Sequence, residues 1–127
     1  MSAGRLDLYI EQGAYYSLSF IWETADTIPV PIDLTGATAA MQIRNEQQGV
    51  IYLDAITANS KIVLGTTNGL VTLNFTSADT TLLSKRRLRY DLEITKPGSP
   101  SKPYRVLEGL VNVSPNITQS PGEPVVT

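Results

Sequence analysis

Apolar and polar residues alternate with a period of two along most of the chain, the spacing that sends successive side chains to opposite faces of a strand. Leu6, Leu8 and Ile10 alternate with Asp7, Tyr9 and Glu11 and predict a first strand, which Gln12-Gly13 breaks. In AYYSLSFIWE, Tyr16, Leu18, Phe20 and Trp22 share one face and Ser17 and Ser19 the other, the strongest buried face in the N-terminal half. The following TADTIPVPIDLTG cannot be a central strand, because Pro29 and Pro31 lack ladder donors. It reads as a turn and an extended connection.

Ala37, Ala39, Met41 and Ile43 then alternate with Thr38, Ala40, Gln42 and Arg44, and a loop tip at Asn45–Gly49 leads into the strand VIYLDA. Lys61–Leu64 is a short strand, Thr66-Thr67-Asn68-Gly69 carries an Asn-Gly hairpin signal, and Val71, Leu73 and Phe75 face inward on the next strand. Thr76 or Ser77 can cap one helical turn with Asp79 in its first turn, after which Leu82 and Leu83 are expected to fold back on the core. Leu88, Tyr90, Leu92 and Ile94 point inward opposite Arg87, Arg89, Asp91 and Glu93. Lys96–Pro100 is a turn, and Tyr104–Val113 is a final long strand with a bulge expected at Gly109. About eight short antiparallel strands, one helical turn and Gly, Pro and Asn punctuation predict an all-β, immunoglobulin-like sandwich.

The division expected is a sandwich over residues 1–113 and a C-terminal arm over 114–127, where SPNITQSPGEPVVT has three prolines and no alternating face. Those prolines fix part of the backbone in advance and lower the entropy lost on docking. Ile117, Val125 and Val126 are therefore candidate partner-binding residues that bury against another subunit.

At 127 residues the chain fits one core, and an apolar fraction of 42% can fill it. The charged fraction of 17% is low and Ser and Thr carry much of the polarity, which suits hydroxyl-rich outer faces or a surface partly covered in use. A net charge of −2 argues against duplex binding, and no apolar run approaches the length of a membrane span. MSAGRLDLYIEQ contains no signal-peptide core, so synthesis in the cytoplasm without signal-peptide export is expected. With no cysteine, the core must hold the fold unaided.

The chain also has no histidine, which with the missing cysteine removes the commonest general base, the commonest nucleophiles and most transition-metal ligands. Asp91 and Glu93 share one exposed face with Arg87 and Arg89, a setting for surface ion pairs rather than for perturbed catalytic carboxylates. Asp26 and Asp33 flank one loop without the oxygen density of a calcium site. No catalytic residue, cofactor or metal site is expected, and the chain is read as a non-enzyme. Lys85-Arg86-Arg87-Leu88-Arg89 is either a solvated edge that discourages aggregation or, through Arg86 and Arg87, a contact for an acidic patch on a partner. No aromatic platform accompanies these charges, so nucleic acid is not the expected partner. Tyr9, Tyr15 and Tyr52 lie on outward faces or strand ends, and Tyr15 joins the candidate partner-binding residues.

LDLYIEQGAYYSLSFIWE, PIDLTGATAAMQIR, LRYDLEIT and RVLEGLVNVSP, in that order, resemble a family of small tailed-phage virion structural proteins. A related pattern marks the N-terminal attachment domain of upper baseplate proteins. The resemblance spans about residues 6–115; Asn116, where an acidic residue is common, and the longer Pro-rich tail depart from it. It implies a virion location and a structural role as a tail, baseplate or fibre-attachment adaptor. The partners would be other virion proteins, with many copies in a symmetric assembly and no nucleic acid or membrane. A head decoration or neck protein is the alternative within this class; a carbohydrate-binding module touching the host surface is the alternative outside it.

Overall fold

The computed structural model describes residues 4–45 and 49–115, so Ile117, Val125 and Val126 lie outside the described residues. The strands are β1 (Gly4–Arg5), β2 (Leu8–Glu11), β3 (Tyr16–Ile21), β4 (Thr38–Arg44), β5 (Ile51–Ile56), β6 (Ile62–Leu64), β7 (Leu70–Phe75), β8 (Arg87–Lys96) and β9 (Lys102–Ser114). A short helix α1 (Ser77–Thr81) follows β7, and a 3-10 turn (Thr57–Asn59) follows β5. A six-stranded sheet runs β1-β9-β8-β4-β5 with β2 also on β9, and a three-stranded sheet runs β3-β7-β6. The order β9-β8-β4-β5 facing β3-β7-β6 is that of a variable-type immunoglobulin sandwich.

The alternation read from sequence builds the interior. Leu88, Tyr90, Leu92 and Ile94 of β8 are buried beside Ala39, Met41 and Ile43 of β4, and Val71, Leu73 and Phe75 of β7 close the core from the other sheet. The β8–β9 and β4–β8 registers place Leu92 between Leu107 and Met41. β3 is an edge strand, so Tyr16, Leu18 and Phe20 are only partly buried, and Phe20 falls short of the deep burial its pattern suggests. Trp22, one residue past β3, is buried with its ring 5.7 Å from that of Tyr104. Its backbone joins two loops: Trp22 N–H donates to Gly69 C=O, and its C=O accepts from Ile32 N–H. Gly69 sits at φ +64°, and a Cβ there would lie 2.6 Å from Trp22 C=O, which accounts for the glycine of the Asn-Gly turn.

The first predicted strand is broken in two and pairs parallel, not antiparallel, with β9. Leu6, expected inside, is 38% exposed. Between the halves, side chains take over the ladder: Asp7 Oδ1 accepts from Leu110 N–H at 3.0 Å, and Tyr90 OH donates to Leu6 C=O at 2.5 Å. Burial, with smaller repulsion from Tyr16 and Asp7, pushes the Tyr90 hydroxyl up to about 12, so it stays a donor. This crossing requires Gly109, where a Cβ would meet Leu6 C=O at 2.3 Å. The bulge expected at Gly109 falls instead in the register shift opposite Leu92–Glu93, where Leu92 faces Leu107 and Glu93 faces Arg105.

Thr76 caps α1 through a reciprocal capping box: its Oγ1 accepts from Asp79 N–H while Asp79 Oδ2 accepts from Thr76 N–H. Asp79 Oδ1 meets Lys61 Nζ at 2.7 Å, fastening the helix to the start of β6. Leu83 is fully buried after this helix, whereas Leu82, also expected to fold back, is 54% exposed because adjacent residues of the turn point opposite ways. Beyond β5, the Asn59 side chain accepts from Ile56 N–H and donates to Asp54 C=O, as a neighbouring strand would.

Three outcomes follow from this packing. Leu92→Ala is expected to lower the unfolding free energy by about 2–5 kcal/mol, read as a reduced urea midpoint. Gly109→Ala is expected to cost about 1–3 kcal/mol by overpacking against Leu6, with faster amide exchange at Leu6 than in the native chain. Desolvation alone would raise the Asp79 carboxyl, but hydrogen bonds from Lys61 and Thr76 together hold it below its ordinary value. A carboxyl depressed in the folded state contributes stability above its unfolded pKa of about 3.9, and that contribution fades as the pH falls through the folded value. Asp79→Ala should therefore cost about 1–3 kcal/mol near neutral pH, with the gap to the native chain narrowing below about pH 4 in denaturation curves.

Candidate interaction surfaces

The outer face of the six-stranded sheet carries most of the charge near the middle of the fold. Along β8 it presents Arg87, Arg89, Asp91 and Glu93. Registers put Arg44 of β4 directly across from Arg89, and Glu108 of β9 directly across from Asp91. Like charges thus face each other at these two positions, which destabilises an isolated sheet, whereas Glu93 faces Arg105 of β9 with opposite sign. A groove of about 580 Å³ lies over these rows, lined by Arg5, Arg44, Arg89, Asp91, Glu93 and Glu108 with neighbouring residues.

The expected pairing of Asp91 and Glu93 with the arginines of their own strand does not form. Arg105 of β9 instead approaches Asp91 at 3.5 Å and Glu108 at 3.9 Å, and Arg5 approaches Asp7 at 3.3 Å. Among the described residues, Arg44, Arg86, Arg87, Arg89 and Glu93 enter no ion pair. Residues two apart on a strand point the same way and can meet, as Arg44 and Gln42 do on β4, but Asp91 is met by Arg105 of the neighbouring strand instead. That register-dependent pattern was absent from any single strand; the signal available in sequence was only the order of signs along β8.

Arg86 lies in the loop before β8, its C=O accepting from Val113 N–H, and Arg87 opens the strand opposite Asn112. Both side chains are exposed. Tyr15 is 65% exposed on the other side of the sandwich, where its OH donates to Asn74 Oδ1. Ser17 Oγ donates to the same oxygen, and Ser19 bonds Thr72. The three-stranded sheet therefore shows a hydroxyl and amide face, as the high Ser and Thr content suggested. The structure does not bring Tyr15 together with Arg86 and Arg87.

The tyrosines also do not assemble into one platform. Tyr9 lies on β2 and Tyr52 on β5, at opposite edges of the six-stranded sheet, and Tyr15 immediately precedes β3 of the other sheet. A third surface lies at the loop end, where Ile28 is 79% and Val30 54% exposed in the excursion closed by the Glu23–Pro31 bridge. Asp33 is occupied in this loop: Thr35 hydroxyl and then Thr35 N–H donate to it, holding its carboxyl below the usual range and fixing the turn. Among the described residues no group of three or more acidic side chains is placed to hold a metal ion.

No curated protein matches the sequence. The fold is similar to a chain from a structure of T cell specificity and activation by the bacterial superantigen toxic shock syndrome toxin-1, with 10% identity and a TM-score of 0.48 over 85% of this chain and 92% of that one. It is also similar to a chain from parallel homodimer structures of the extracellular domains of the voltage-gated sodium channel beta4 subunit, with 14% identity and a TM-score of 0.42 over 92% and 98%. Similarities of that size carry no weight for function. A family model described as "LtfC-like, beta-sandwich domain" matches residues 2–114, which takes in both sheets, α1 and the charged face. The chain belongs to the LtfC-like β-sandwich domain family.

Proposed function

We infer that this protein is a non-enzymatic structural subunit of a tailed-phage virion, acting as an adaptor that joins tail or baseplate parts or seats a fibre. The observation that carries this reading is the family match over residues 2–114, because LtfC is a phage tail-fibre protein. The ordered resemblance of LDLYIEQG, PIDLTG, MQIR and LEG to small tail-associated proteins supports the same placement.

The surfaces agree with work by contact. A rigid sandwich holds three chemically distinct faces in fixed relative positions, and many copies in a particle convert modest contacts into firm attachment through avidity. A carbohydrate-binding module is less well supported, since the exposed tyrosines stand apart and offer no continuous stacking row. Within the particle, the arm of residues 114–127 supplies reach to a neighbouring virion protein through Ile117, Val125 and Val126, while Arg86 and Arg87 meet an acidic patch.

Purified particles of a phage encoding this chain should contain it at a fixed stoichiometry in the tail by mass spectrometry and antibody-labelled electron microscopy. Its recovery only in host lysate, or on the capsid, would contradict the adaptor role. Because β9 ends at Ser114, removing residues 116–127 takes away no described strand. The truncated chain is expected to keep its β-rich circular dichroism and to be lost from particles. Incorporation at the full-length level would show the arm to be incidental.

A further inference from the structure

The signs along the exposed side of β8 run plus, plus, minus, minus: Arg87, Arg89, Asp91, Glu93. Such a sequence is its own complement when reversed. Cross-strand neighbours widen both halves, with Arg44 opposite Arg89 on the basic row and Glu108 opposite Asp91 on the acidic row; Arg105, opposite Glu93, offsets one of the three negative charges and leaves that half net acidic. In one copy alone this segregation has a cost, since like charges face each other and four residues of the pattern (Arg44, Arg87, Arg89 and Glu93) enter no ion pair among the described residues.

We propose that the outer face of the six-stranded sheet is a self-association surface, on which a second copy of this chain docks face to face. A two-fold axis lying in the plane of the interface, across the strands and between Arg89 and Asp91, reverses the direction of β8 in the second copy. Arg89 then stands over Asp91 of the partner subunit and Arg87 over Glu93 of the partner subunit, and each contact is made twice. Arg44 adds positive charge beside Arg89 and reaches the same acidic row. The groove over these rows leaves room for long arginine and glutamate side chains to span the gap.

The area is adequate for a specific contact. A face five strand positions wide at about 4.8 Å, and about six residues long at about 3.4 Å each, covers roughly 480 Å². Two such faces bury about 1,000 Å², the lower limit for a specific interface. The contact is polar, so its strength depends on ionic strength and its main product is a fixed orientation.

This inference stands on the charge geometry and does not require the virion role. Its test is sedimentation velocity of the full-length chain over a concentration series, at low ionic strength and at about 1 M salt, where the screening length falls to about 3 Å. The native chain is expected to form a dimer at low salt that dissociates at high salt. Arg89→Asp and Asp91→Arg should each weaken dimerisation by about a hundredfold, because each sets like charges face to face. Their thermal midpoints serve as the check that both remain folded.

Mixing the two variants one to one restores every opposed pair and should recover a dimer, as should the double variant carrying both changes. A native chain that stays monomeric across the series overturns the proposal and leaves the face to a different partner. Dimerisation unchanged in both single variants, or folded variants that fail to dimerise when mixed, overturns it as well.

Discussion

No disulfide ties the two sheets of this sandwich together. With no cysteine in the chain, the inward side chains of β4, β8 and β7 have to supply the whole attachment, and they do so with residues of near-zero exposure such as Leu92, Ile94, Phe75 and Val71. Everything functional hangs on that contact. The charged rows keep their spacing because Leu88, Tyr90, Leu92 and Ile94 anchor the strand whose other side carries Arg87, Arg89, Asp91 and Glu93. A strand pinned on one face can hold its opposite face in order without any ion pair of its own.

Much of this was legible in the alternation. β4, β7 and β8 are read correctly because a half-buried strand has a strict period of two and each lies well inside its sheet. The helical turn could be read because Thr76 and Asp79 have the spacing of a capping box, although the tie from Asp79 to Lys61 could not, since it joins residues 18 apart through the tertiary fold. Errors fell where backbone or side-chain groups replace the ordinary ladder. Leu6 carries the pattern of an inward residue, yet its carbonyl is needed by Tyr90 and the chain bends to deliver it. Gly109 looks like a bulge in sequence, and is instead the only residue small enough to let that bend pass.

The candidate site was less legible than the fold, for a different reason. The signs along β8 could be read directly, but their meaning depends on what stands across from them. Arg44 comes from a strand 45 positions earlier, and Arg105 from a strand that arrives with a shifted register. A reading limited to β8 pairs Arg89 with Asp91. In the folded chain Arg105 takes Asp91 and leaves Arg89 facing another arginine. The sign order became a surface property only after three strands were aligned.

The side chain of Asn59 guards the free edge of the six-stranded sheet. An open sheet edge invites another chain to continue the ladder. At the end of β5 the amide already fills the Asp54 and Ile56 positions, so an added strand would find its last two rungs taken. Strand addition at this end of the edge is thereby blocked by a side chain of the protein itself.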